Sequence, residues 1–137
     1  MRTRIFNGKE QIFCEWRQRW VRLTPEEWVR QQLLHHLVEQ LGYPASLIAV
    51  EAPIKVGDLQ KRCDAIVYNN AMQPLMLIEC KAESVPLTQK TLDQAATYNR
   101  KLRVPYLLLH NGPQTVIAFV DDNTIKYINS IPQYNQL

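Results

Sequence analysis

Two apolar runs, Ala65-Ile66-Val67-Tyr68 and Leu75-Met76-Leu77-Ile78, flank the polar stretch Asn69-Asn70-Ala71-Met72-Gln73-Pro74, with charged residues only at their outer ends. Strand-length apolar runs separated by turn residues predict a β-hairpin. With Asn69 opposite Pro74, the register continues outward as Tyr68 with Leu75, Ile66 with Leu77 and Asp64 with Glu79. Side chains alternate along a strand, so Asp64, Glu79 and Lys81 are expected on one face, and Cys63 and Cys80 on the other. Apolar residues fall on both faces of both strands. That marks an internal strand pair covered from each side and predicts α/β layering.

The same pattern changes period on either side of the hairpin. Thr24-Pro25-Glu26-Glu27 predicts a helix start: Thr24 as N-cap, proline at the first helical position, and Glu27 closing a capping box. The helix is expected to run to Leu41, with Gly42 ending it and Trp28, Leu33, Leu34, Leu37, Val38 and Leu41 as its core stripe. A first sheet strand is expected over 46–57, with Gly57-Asp58 as a turn. A second helix is expected from Leu87–Thr88 to Leu102, with Leu87, Thr91, Gln94, Tyr98 and Leu102 along one stripe and Leu92, Ala95, Ala96 and Asn99 beside it. Val104–Leu109 reads as a buried strand after a helix, which fits a parallel crossover. Strands over Thr115–Val120 and Ile125–Ile131 complete the sheet, separated by the turn Asp121-Asp122-Asn123. Residues 1–23 offer three short extended pieces, at Ile5-Phe6, Ile12-Phe13 and Trp20–Leu23. Trp16, Arg17, Arg19, Trp20 and Arg22 interleave aromatic and basic groups there. That interleaving suits nucleic acid; an arm packing its aromatics onto the domain explains it as well.

Length and composition narrow the class. At 137 residues the chain suffices for one domain with a real core, expected over 1–137 with residues 1–23 as an N-terminal arm. Apolar residues at 46% and charged residues at 21% fit a soluble globular protein. The net charge of +3 permits nucleic-acid binding without requiring it. Cys14, Cys63 and Cys80 make no CxxC pair and no even framework, which suggests reduced thiols and a cytoplasmic setting. No apolar run approaches a membrane span. His35 and His36 are adjacent on a helix, face different directions and read as surface histidines.

The chemistry concentrates at the hairpin's charged end. Two carboxylates and an ammonium on one face of a buried hairpin are costly unless something binds there, and a divalent cation is the obvious candidate. Asp64 and Glu79 are hard oxygen ligands of the kind Mg²⁺ prefers, with Mn²⁺ as a possible substitute. Lys81 can orient or deprotonate a water and offset phosphate charge. Glu51 is a weaker candidate for a third acid. There is no glycine-rich phosphate loop, no paired Cys/His ligand set and no serine or cysteine nucleophile motif.

Asp64 followed by Glu79-Cys80-Lys81 resembles the PD-(D/E)XK nuclease core, with Cys63 where that family has its leading proline. Gln94-Ala95-Ala96-Thr97-Tyr98 matches the Gln-x3-Tyr motif of the N-terminal nuclease domain of type I restriction R subunits, and Thr24–Gln31 is similar to its opening helix. The resemblance spans roughly residues 20–120. It implies a restriction-endonuclease-like α/β core with a mixed sheet flanked by helices, and a metal held by Asp64, Glu79 and the Cys80 carbonyl. It also implies that Glu27 reaches the metal site, and that Gln94 and Tyr98 support DNA and the catalytic groups. The expected function is a metal-dependent DNA endonuclease domain. The alternatives are a DNA-binding or interaction module with an idle site, and a structural protein with a coincidental charge pair. No Walker A sequence occurs, so ATP-driven translocation is not expected of this chain, and a motor or specificity subunit would act in trans. Cations available to DNA are Lys81, Lys90, Arg100 and Lys101, with Lys55, Lys61 and Arg62 nearby.

Overall fold

The structure, a computed structural model, describes residues 1–56, 58–122 and 124–137, and within these all side chains except those of residues 54–56, 59, 61, 98 and 101. Half of the predicted Gly57-Asp58 turn, Asn123 and the side chains of Lys55, Lys61, Tyr98 and Lys101 therefore lie outside the described residues. The chain forms β1 (Thr3–Phe6), β2 (Lys9–Cys14), β3 (Arg19–Arg22), α1 (Pro25–Leu41), β4 (Ile48–Val56), β5 (Leu59–Tyr68) and β6 (Pro74–Cys80). α2 (Gln89–Leu102), β7 (Tyr106–His110), β8 (Thr115–Asp121) and β9 (Thr124–Ile128) follow. β1 to β3 make a three-stranded antiparallel sheet; β4 to β9 make a six-stranded sheet in chain order. α2 crosses over between β6 and β7, which are parallel, while the other neighbouring strands are antiparallel. The sheet is therefore mixed.

The two helices cover opposite faces. Val29, Leu33, Leu34 and Leu37 of α1 pack with Ala65, Val67, Met76, Ile78, Cys80 and Leu108. Ala95 of α2 packs with Cys63, Ile66, Leu77, Leu107 and Leu109, joined by Leu92 and Leu102. Each fully buried leucine or isoleucine here contributes about 1.5–3 kcal/mol through apolar burial, so the hairpin core is fixed from both sides.

α1 has its predicted ends. Thr24 accepts a hydrogen bond from the Glu27 amide, Pro25 sits in the first turn, and Gly42 takes the left-handed conformation that closes the helix. Its buried stripe differs from the expected one. Trp28 is exposed, and Val38 and Leu41 are only half-buried. Glu27, Arg30 and Gln31 are buried instead, because they bond one another on the sheet-facing side. α2 is rotated relative to expectation as well. Asn99 is drawn inward by bonds to both the N–H and the carbonyl of Val104, so Leu92, Ala95, Asn99 and Leu102 face the core and Gln94 is exposed.

The central hairpin pairs Ile66 with Leu77, the register that the alternation predicts. At the turn, Tyr68 pairs with Pro74 rather than Leu75, through an irregularity between Val67 and Tyr68. The Asn69 side chain accepts from the amides of Ala71 and Gln73, and Met72 has a φ of 60°. This tight local loop shortens the connection by one residue. Cys63 and Cys80 do not share a face: Cys63 packs on the α2 side and Cys80 on the α1 side.

Candidate active site

The misplaced cysteine marks the place where the sheet departs from regularity. Val50 pairs with Ala65 and Ala52 with Cys63, so Glu51 and Asp64 stand opposite each other between two ladder pairs. Glu51 has a φ of 53°, left-handed and uncommon for a residue with a side chain. Val50 packs on the α1 side but Ala52 on the α2 side; likewise Ala65 against Cys63. Side-chain alternation therefore reverses across Glu51 and Asp64. An irregularity of this kind re-aims a side chain, and here two carboxylates are re-aimed.

Asp64 turns toward β6. Its Oδ2 accepts the Cys80 N–H at 2.7 Å, and its Oδ1 lies 3.4 Å from Arg30 Nη1. A charge-assisted bond at 2.7 Å is a strong one. It ends the regular β5–β6 ladder at Ala65 with Ile78 and brings Asp64 to the Glu79–Lys81 segment. Glu79 and Cys80 continue β6 beside Leu109 and His110 of β7, and the Lys81 amide donates to the His110 carbonyl at 2.9 Å. The segment after Lys81 is tied down by Asn111, whose side chain donates to the Val85 carbonyl at 2.9 Å.

Above these strands lies a buried ion network that sequence reasoning missed. Arg17, from the β2–β3 turn, meets Glu27 at 2.7 Å and Glu51 at 3.3 Å. Arg30 makes a short contact with Glu27 and lies 3.6 Å from Glu51. The Gln31 amide donates to Glu27 Oε2 at 3.1 Å, while its own Oε1 is buried with no hydrogen-bond partner among the described residues. The Glu27 carboxylate is thus engaged by Arg17, Arg30 and Gln31, and the helix is capped from Thr24. The signal for Arg30 was its i,i+3 spacing from Glu27 on one helical side. Nothing local in the sequence pointed to Arg17.

The electrostatics separate two adjacent acids. Burial pushes Glu27 upward, but hydrogen bonds from Arg30 and Arg17 outweigh it and hold the carboxyl below its ordinary value. Glu26 is raised, by burial and then by the negative charge of Asp64, with Lys81 and Arg30 opposing. Glu26 therefore shares the field of Asp64 and Lys81. It is a second first-helix acid at the site, passed over in the sequence because capping drew notice to Glu27. Burial, and then Asp64, push the Cys80 thiol up, which leaves it protonated and inert.

The structure thus gathers Asp64, Glu79, Lys81 and Glu27 at one end of the sheet, together with Glu51, Glu26, Arg17 and Arg30. Gln94 stays exposed on α2, and the Tyr98 side chain is outside the described residues. Among the described residues no group of three or more His, Cys, Asp or Glu is arranged to hold a metal. Nor is any helix among them long and apolar enough to cross a membrane.

Residues 25–132 match the family model described as type I restriction enzyme R protein N terminus. No curated protein sequence matches significantly. Solved structures share the fold, three of them as follows. A fragment described as an HsdR subunit of a type I restriction enzyme from Vibrio vulnificus YJ016 aligns with a TM-score of 0.60 and 17% identity, over 84% of this chain and 24% of that one. The DrdV–DNA complex gives 0.51 and 18%, over 76% of this chain and 9% of that one. A protein from Anabaena variabilis ATCC 29413, described as a nuclease of the DUF820 group, gives 0.51 and 9%, over 90% and 79%. The chain thus spans about a quarter of the HsdR fragment. The restriction-endonuclease-like fold expected from the sequence is the fold observed.

Proposed function

The chain belongs to the type I restriction enzyme R protein N-terminus family, and on that premise we propose that it is a metal-dependent endonuclease domain that hydrolyses DNA phosphodiesters. One observation carries the reading: Asp64 leaves the ladder to bond the Cys80 amide, within the strand pair that bears Glu79 and Lys81.

The donor set suits a hard divalent ion. Asp64 and Glu79 would supply two carboxylates and, by the family resemblance, the Cys80 carbonyl a third donor; Mg²⁺ ordinarily keeps several waters beside one or two protein carboxylates. Such an ion supplies Lewis-acid stabilisation of charge building on the phosphate. Lys81 orients the attacking water and offsets the phosphate's negative charge. Glu26, at the N-terminus of α1, borders the same region, while Glu27 holds Arg30 beside Asp64. Gln94 and Tyr98 are assigned, by the family motif alone, to supporting DNA.

A second reading, a DNA-binding module with an idle site, has Arg30 in its favour, since its guanidinium lies 3.4 Å from Asp64 and provides an internal cation. The pairing pattern favours the first reading. The Asp64–Cys80 bond at 2.7 Å sets the carboxylate, whereas Arg30 belongs chiefly to Glu27 through its shorter contact. A motor or specificity subunit is the proposed partner, on the family resemblance alone. Few cations among the described residues line the site, so the chain is expected to nick slowly and without sequence preference.

The test is incubation of wild type and Lys81→Ala with plasmid and single-stranded DNA in Mg²⁺ or Mn²⁺. Wild type should cleave, and Lys81→Ala should lose about 100-fold or more. Cleavage that survives both Lys81→Ala and EDTA would remove the mechanism.

A further inference from the structure

Residues 1–23 lie outside the segment that the family model matches, and they carry a different charge from the rest. They hold six basic and two acidic residues, a net of +4; residues 24–137 hold ten basic and eleven acidic, a net of −1. Strand register then sorts those charges. Directly opposed residues share a face, and the pairs Arg4 with Gln11, Phe6 with Lys9, Gln11 with Arg22 and Phe13 with Trp20 define one face of β1–β3. The Phe13 amide donates to the Arg2 carbonyl, so Arg2 extends the same row. The opposite face carries the fully buried Ile12 and Cys14, together with Glu10.

The outer face therefore presents the cations Arg2, Arg4, Lys9 and Arg22 between the rings of Phe6, Phe13 and Trp20. No acidic residue of the three described strands shares it. The Arg2 guanidinium lies 4.2 Å from the centre of the Phe13 ring, and that of Arg4 lies 4.3 Å from Trp20 and 4.8 Å from Phe6. The sheet is also pinned beside the candidate active site. Its β2–β3 turn sends Arg17 onto Glu27 and Glu51, while Trp16 donates to the Ala45 carbonyl and packs on His35.

We propose that the outer face of β1–β3 is a binding platform for single-stranded DNA, stacking unpaired bases on Phe13 and Trp20 while the arginines and Lys9 take the phosphates. The assignment to DNA rests on the nuclease reading; the preference for a single strand does not. In a duplex the base faces are already stacked, so three rings among four cations would have no partner there. An exposed guanidinium–ring contact is weaker than a base stacked on an aromatic ring. Exchange of guanidinium for base is therefore favourable, and the displaced arginine meets a phosphate.

The experiment measures binding of labelled 15-nucleotide oligo(dT), the matching duplex and oligo(U) to the full Lys81→Ala chain in EDTA, at two salt concentrations. Tighter binding of oligo(dT) than of duplex is expected. Trp20→Leu should weaken oligo(dT) binding about tenfold while sparing the duplex, and Trp20→Phe should keep most of it. Arg2→Ala with Arg4→Ala should weaken both DNAs and flatten the salt dependence. Urea denaturation confirms that each variant folds, and the arginine pair serves if Trp20→Leu does not. Unchanged oligo(dT) affinity in all these variants, a loss on the duplex equal to that on oligo(dT) in Trp20→Leu, or preference for oligo(U) would overturn the platform. Plasmid cleavage by wild type is scored separately. Binding without cleavage would sink the nuclease reading alone, and cleavage with unaltered binding in the variants would sink the platform alone.

Discussion

Arginine does two different things in two neighbouring regions of this molecule. On the outer face of β1–β3, Arg2 and Arg4 lie over aromatic rings, at a surface where water still reaches the guanidinium. Between α1 and β4–β5, Arg17 and Arg30 are largely buried against the carboxylates of Glu27, Glu51 and Asp64. The first arrangement leaves positive charge available to a ligand. The second consumes it in holding acids in place. Proximity in the sequence does not separate the two roles, since Arg17 lies in the N-terminal segment yet works in the buried ion network. The difference lies in what each side chain meets: a ring face that cannot neutralise a cation, or a carboxylate that can.

The largest expected effect separates the regions by stability. Removing one member of a buried ion pair leaves the other charge desolvated, and such losses run to about 3–5 kcal/mol. Arg17 still meets Glu27 when Arg30 is gone, so Arg30→Ala is expected near the lower end, at about 3 kcal/mol. Arg4→Ala loses exposed cation–ring contacts and an exposed hydrogen bond to Gln11, and is expected to cost about 1 kcal/mol or less. Urea denaturation of the two variants compares them directly, and equal losses would erase the distinction.

Much of the framework was readable because local chemistry and tertiary packing agree. Thr24, Pro25 and Gly42 fix the ends of α1 by backbone geometry alone, and apolar residues on both faces of the hairpin require cover from two sides. What could not be read depended on long-range partners. Simple alternation put Cys63 with Cys80, and it failed because the Glu51–Asp64 irregularity reverses the faces. The stripe of α1 was assigned by apolarity, so Trp28 was placed inside. The helix instead buries Glu27, Arg30 and Gln31, whose partners come from the β2–β3 turn and β5. Asn99 displaced Gln94 from the inner face of α2 for a similar reason: a polar side chain satisfied by backbone can occupy a core position.

Acid should weaken the buried ion network while leaving the outer face unchanged. Glu27 has a folded-state value below its ordinary 4.5. Its contribution is therefore complete above pH 4.5 and is lost as pH falls through the lower folded value. Glu26, raised in the folded protein, works the other way: it favours folding below 4.5 and loses that effect as pH climbs through its raised value. Because Glu27 is the more deeply buried and more fully bonded of the two, the acid limb should follow it. Urea midpoints taken from pH 6 down to pH 3 should fall in wild type and fall less steeply in Glu27→Gln. Parallel profiles would assign the limb to other carboxylates. Arg2 and Arg4 face no acid across the strands, so Arg4→Ala should follow the wild-type profile.

The smallest effect tests the backbone beneath the ion network. Glu51 holds a φ of 53° and also meets Arg17 and Arg30, at 3.3 and 3.6 Å. Left-handed backbone costs a residue with a side chain about 1–2 kcal/mol. The two ion pairs return little, because the Glu51 side chain is about a third exposed and such pairs contribute about 0–1 kcal/mol. Glu51→Gly removes the steric cost and the ion pairs together, and adds about 0.5–1 kcal/mol through the flexibility of the unfolded chain. These terms nearly cancel, so the variant is expected within about 1 kcal/mol of wild type. Glu51→Gln keeps the strained backbone and loses the charge, so it should be the less stable of the two. If glycine proves the weaker by chemical denaturation, Glu51 is held by its side chain, and the irregularity opposite Asp64 follows from Arg17 and Arg30 drawing the carboxylate toward them. If glutamine is the weaker, the backbone bends first, and the strand geometry that aims Asp64 at Cys80 survives without any acid at position 51.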